Sequence, residues 1–131
     1  VCSSDLDFFK MLESPHDVTA GLYMMEDLQH FATVQEWNED FFKKNGTFQF
    51  MRPDDVRGAP RYVQVAYSGM GWMLIKRGVV EKLKYPWFWS DLERVGDLVD
   101  MNSEDVAFCR AIGSVHIDTT VRVGHQKLMV L

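Results

Sequence analysis

Between two polar stretches, Asp17-Val18-Thr19-Ala20-Gly21-Leu22-Tyr23-Met24-Met25 is apolar almost throughout and partly β-branched. Such a run reads as a strand covered on both faces, because a half-exposed strand would alternate apolar and polar residues. Just before it, Phe8, Phe9, Met11 and Leu12 recur at amphipathic spacing over Asp7 to Glu13, and Ser14-Pro15 stops the helix they predict. A helix leading into a doubly covered strand predicts an α/β fold.

The rest of the chain continues that pattern. Val34, Trp37, Phe41 and Phe42 predict a helix over Val34 to Lys44, with acids early, lysines late and Asn45-Gly46 as the stop. Phe48 to Met51 reads as a strand, and Arg52 to Pro60 as an exposed loop. Tyr62 to Tyr67 reads as a strand, and Ser68-Gly69-Met70-Gly71 interrupts it before Trp72 to Ile75 resumes an apolar run. Gly78 to Leu83 predicts a short helix, and Tyr85-Pro86-Trp87-Phe88-Trp89 an aromatic loop. A helix over Ser103 to Ala111 and strands at Val115 to Ile117 and Thr120 to Val123 complete the reading.

With 131 residues, 47% of them hydrophobic, the chain has the size and composition of one folded domain. Its net charge of -5, from 14 basic and 19 acidic residues, argues against nucleic acid or an anionic membrane as partner. No apolar run is long enough to span a bilayer, and no secretory signal pattern opens the chain, so a cytoplasmic or cytoplasm-facing location is expected. The two cysteines are too few for a disulfide framework, and Cys109 reads as a small buried hydrophobe. Val1-Cys2-Ser3-Ser4-Asp5-Leu6 matches the translation of a common sequencing-adaptor end and reads as a scar, so native sequence is expected from Asp7 onward.

Chemistry concentrates near the end. Ser103 is placed to cap a helix whose first turn carries Glu104 and Asp105, where unsatisfied N-H groups and the positive dipole end favour ionised carboxylates. Such a carboxylate stabilises a helix and is also competent as a base. His125 ends an apolar strand beside Gly124, where an imidazole either makes one structural hydrogen bond or ligates a divalent cation. His16, His30 and His116 lack partnered spacing and read as surface or core residues.

Taken in order, Ser103-Glu104-Asp105-Val106-Ala107-Phe108-Cys109 followed by Val121-Arg122-Val123-Gly124-His125 resembles the acceptor-side half of an inverting GT-A (family 2-like) glycosyltransferase. Asp17 to Tyr23 is similar to that family's strand after its metal motif, and Gly69-Met70-Gly71-Trp72-Met73-Leu74-Ile75-Lys76-Arg77 to its G-x-G-x-x-L-I-x-R segment. The resemblance implies a partial GT-A mixed sheet flanked by helices, with the nucleotide-binding half absent and residues 7–131 forming the C-terminal part of a single domain. It implies Asp105 as general base toward the acceptor hydroxyl and Glu104 as a positioning acid. Gly69, Met70, Gly71 and Trp72 would border the sugar, and His125 would ligate Mn²⁺ or Mg²⁺. The implied partners are a nucleotide-sugar donor and a carbohydrate or other hydroxyl acceptor, with transfer expected only in a parent carrying the missing half. The family's Asp-x-Asp motif is matched only by Asp5-Leu6-Asp7, which no apolar strand precedes. Two other readings compete: a non-catalytic carbohydrate-binding module using exposed aromatics, and a metal-dependent hydrolase using Glu104, Asp105 and His125 with water as nucleophile.

Overall fold

The computed structural model describes residues 3–86, 88, 92–95, 98–101 and 104–124. The doubly covered strand is β1 (Val18–Leu22), and all five of its residues are buried. It pairs in parallel with β8 (Val115–Arg122) and antiparallel with β5 (Met73–Ile75), while β3 (Tyr62–Val65) pairs antiparallel with β8. The order β3-β8-β1-β5 makes a four-stranded mixed sheet. Two small ladders accompany it, β2 (Thr33–Val34) with β4 (Tyr67–Ser68), and β6 (Leu92–Val95) with β7 (Leu98–Met101).

Helices flank the main sheet. On one face Val18, Ala20, Leu22, Val115 and Ile117 join Val106 and Cys109 of α4 (Glu104–Ile112) in the principal apolar core, together with Phe31, Val34 and Tyr67. The intervening residues Thr19, His116 and Asp118 point the other way, as strand alternation requires, toward the side covered by α1 (Ser3–Leu12). Two short helices, α2 (Glu39–Asn45) and α3 (Pro53–Val56), and a 3₁₀ turn at Val80–Lys82 lie in the connections. The α/β class and the helix-flanked mixed sheet are therefore as the sequence suggests.

Several boundaries differ, for identifiable reasons. The helix read over Val34 to Lys44 is only α2, because Val34 is paired with Tyr67 and the Asn38 side chain caps the helix by accepting from Phe41 N at 3.0 Å. Gly46 closes it with φ of 70°. Phe48 to Met51 forms no strand, although Met51 exchanges backbone hydrogen bonds of 2.8 Å with Phe31 and Thr33. At Ala66 the chain leaves the main sheet, its N-H donating to Val34 O at 3.0 Å, so the single strand expected over Tyr62 to Tyr67 is β3 and β4 in different ladders.

The two strands read at the C-terminal end are one continuous β8. Asp118 breaks the apolar pattern yet is fully buried, at 0% exposure. Its carboxylate accepts from Thr120 N at 3.0 Å and Thr120 Oγ1 at 2.6 Å, and pairs with Arg61 Nη2 at 3.1 Å. Arg61 also binds Glu13 Oε2 at 3.0 Å and Lys10 O at 3.1 Å, which ties the C-terminal end of α1 to β8. Among the described residues no buried side-chain polar atom lacks a partner.

Candidate active site at the carboxyl ends of β1 and β8

Because β1 and β8 run parallel with Leu22 opposite Arg122, their carboxyl ends open on the same edge of the sheet. That edge is where open α/β sheets characteristically bind ligands. Tyr23 leaves β1 there and Gly124 follows β8.

Asp105 occupies the first turn of α4 and is half-buried. Its Oδ2 accepts the Tyr67 hydroxyl at 3.0 Å and its Oδ1 accepts Val106 N at 3.1 Å. Tyr67, only 9% exposed, stays protonated far above the usual phenol range, first because it is buried, then because of the Asp105 charge and the hydrogen bond to it. Phe108 and Cys109, which follow on the helix, both turn inward. Cys109 Sγ donates to Ser68 O at 3.5 Å, and burial pushes its thiol up to about 11. Cys109 thus ties α4 to β4, which holds Asp105 against Tyr67, while Phe108 stacks on Phe88 with ring centroids 4.7 Å apart. Glu104 is exposed.

The glycine segment reaches the same place through Tyr23. A Cβ on Gly69 would collide with the Tyr23 hydroxyl, and one on Gly71 would lie 2.8 Å from its ring. These glycines therefore admit the Tyr23 ring against the backbone, so in this structure their open side is filled by a protein side chain. Tyr23 is half-buried, and its phenol is raised by burial, lowered by a hydrogen bond with the Gly71 backbone and raised again by the Asp105 charge. Trp72 is half-buried and abuts the backbone of β1: a Cβ on Gly21 would sit 2.9 Å from its Cδ1, and its carbonyl accepts Gly21 N at 2.9 Å. Met70 beside it is also half-buried.

The structure thus brings Asp105 together with Gly69 and Gly71 through two tyrosines that the sequence reading leaves as ordinary strand residues, while Met70 and Trp72 flank that contact along the chain. The one legible hint was a tyrosine ending the apolar run of β1, with a G-x-G segment later in the chain to receive it. His125, Ser103, Trp87 and Trp89 lie outside the described residues, and so does the metal role expected of His125.

A divalent cation would need several convergent ligands. Asp5-Leu6-Asp7 lies within α1 and not after an apolar strand. Among the described residues no three His, Cys, Asp or Glu side chains gather into a ligand set. What the described site offers is a carboxylate held by a buried phenol and a helix N-terminus, beside a second phenol.

No family model and no curated protein matches the chain. Among solved structures, the chain is similar to A197 from STIV, with a TM-score of 0.52 at 18% identity over 92% of this chain. It spans about half the length of that protein, covering 48% of it. At this identity the likeness speaks to fold alone. No helix among the described residues is long and apolar enough to cross a membrane.

Proposed function

We propose that this chain carries the acceptor-side wall of an inverting GT-A glycosyltransferase, with Asp105 as the general base. The observation that carries this reading is the convergence of Asp105 on Tyr67 and of Gly69 and Gly71 on Tyr23, with the Asp105 charge felt by both phenols, at the carboxyl ends of β1 and β8. Those residues belong to two motifs far apart in sequence, and a helix cap serving only the helix would not require their meeting.

In the proposed reaction the acceptor hydroxyl gives its proton to the Asp105 carboxylate while its oxygen bonds to the anomeric carbon of the donor. The nucleotide diphosphate leaves from the opposite side with the electron pair of the broken bond. A base is needed because a sugar hydroxyl is a weak nucleophile at neutral pH until its proton is accepted. Tyr67 keeps the carboxylate in one orientation, since a phenol bound to Oδ2 and an amide bound to Oδ1 restrict rotation about the Cβ-Cγ bond. A divalent cation, when bound, would neutralise the leaving diphosphate. His125 and carboxylates outside the described residues would have to hold it.

The donor site is expected from further sequence, so the decisive assay uses a chain that includes it. There Asp105→Asn is expected to reduce transfer by at least about a hundredfold while donor binding, read by calorimetry with Mn²⁺, stays unchanged. Retained turnover removes Asp105 from this role.

A further inference from the structure

A groove of about 1250 Å³ runs beside the site, between the turn after β1, the segment leading into α2, and Phe48 to Arg52. It exceeds the roughly 300–1,000 Å³ of an ordinary small-molecule pocket and has room for an extended ligand. Its aromatic wall includes Trp37, 38% exposed, and the half-buried Phe48 and Phe50. Trp37 packs edge-on to Phe48 at 5.1 Å, lies 5.7 Å beneath the Arg110 guanidinium of α4, and is 6.2 Å from Tyr67. Since Tyr67 donates to Asp105, Trp37 is where the groove meets the candidate base.

The polar lining restricts what can lie there. Five carboxylates, Asp27, Glu36, Glu39, Asp40 and Asp55, face one arginine, Arg52, which disfavours phosphorylated, sulfated or uronic ligands. Three of the five already have local partners. Glu39 pairs with Lys43 at 3.1 Å, Asp27 holds His30 Nδ1 at 2.5 Å, and Asp55 accepts Arg52 N at 2.7 Å. Those contacts hold the carboxylates in place and leave acceptor lone pairs for hydroxyl donors. Amide side chains of Asn38 and Gln49 add donors and acceptors beside the rings.

We propose that this groove binds a neutral oligosaccharide, with sugar C-H faces on Trp37 and Phe48 and sugar hydroxyls on the surrounding carboxylates and amides. Its service as the acceptor cleft rests on the reading of Asp105 as base; binding itself does not.

The test uses the 131-residue chain, isotope-labelled, titrated with malto-, cello-, chito- and manno-oligosaccharides, a lysine-rich peptide and a polyuronate. We expect at least one neutral series to shift the Trp37 indole and the Asn38 and Gln49 side-chain amides, with affinity rising with chain length. We expect that affinity to change less than about twofold between about 50 and 500 mM salt. Trp37→Ala should weaken it about two- to tenfold. Gln49→Ala, at an exposed position, should also weaken it and guards against loss of fold in the Trp37 variant. Shifts caused only by the peptide or the polyuronate, no shift with any neutral series, or undiminished binding by both variants would overturn the proposal. Oligosaccharide bound in the groove without transfer in the donor-complete chain would instead sink the transferase reading and leave this one standing.

Discussion

Tyr67 donates its hydroxyl hydrogen to Asp105 Oδ2 at 3.0 Å, and so joins a two-residue strand to the first turn of α4. A hydrogen bond to a charged group contributes about 1.5–3 kcal/mol when both partners are desolvated. Asp105 is half-exposed to water, which recovers part of that loss. Tyr67→Phe keeps the ring and should cost about 1–2 kcal/mol, measured by urea unfolding. An unchanged midpoint would mean that the contact is not made in solution.

Gly69 and Tyr23 make a second, steric pair. Gly69→Ala drives a methyl into the Tyr23 hydroxyl and should destabilise by about 1–3 kcal/mol. Adding Tyr23→Phe removes the colliding oxygen and should restore part of that loss. If the second change brings no recovery in thermal unfolding, the tyrosine is not what the glycine accommodates.

His116 stacks on His16 with ring centroids 3.6 Å apart and planes within 4°. Burial first, and the neighbouring His16 second, lower the His116 pKa from its ordinary value of 6.5. The unfolded chain therefore binds the His116 proton more readily than the folded one, and stability rises with pH in that range. This contribution is complete above pH 6.5 and falls away as pH drops toward the lowered folded value. Stability measured between about pH 7.5 and 5 should decline, and His116→Phe should flatten the decline. An equally steep decline in the variant would place the effect elsewhere.

Removing Arg61 exposes the cost of the buried Asp118. Arg61→Met keeps an apolar stem but leaves a fully buried carboxylate held by Thr120 without its cation, and should destabilise by about 3 kcal/mol. Pairing it with Asp118→Asn should recover part of that loss. The double-mutant cycle in guanidinium unfolding reads the coupling directly, and simple additivity would contradict it.

Leu28 is 77% exposed and adopts φ of 57°, the left-handed region that an L side chain enters at a cost. Leu28→Gly should stabilise by about 0.5–1 kcal/mol, the relief exceeding glycine's extra entropy in the unfolded chain. A lower melting temperature would mean that the leucine makes a contact worth more than the backbone relief.

What could be read beforehand followed the periodicity of buried surface. β1 was legible because both its faces are covered, so every residue is apolar or small. α4 was legible because its acids, then Phe108 and Cys109, mark its start and its inward face. β8 reads as two strands because Asp118 and Thr119 look like a turn until Arg61 is seen beside Asp118. β2 was hidden for a different reason: a two-residue strand is defined by its partner, and Val34 with Trp37, Phe41 and Phe42 keeps helical spacing by coincidence. Of the candidate site, the carboxylate and the glycines are residues that the sequence motifs single out. The tyrosines between them are not, since their roles arise only where β1, β4 and α4 meet.

The parallel pairing of β1 with β8 also sets the order in which this sheet can assemble. Thr19 meets His116 only after the intervening chain has been looped between them, and that closure entropy must be met before the central ladder returns any stabilisation. On a ribosome β1 therefore waits, the edge that pairs with β8 still unfilled, until β8 emerges. During that interval it is the segment most in need of protection from self-association.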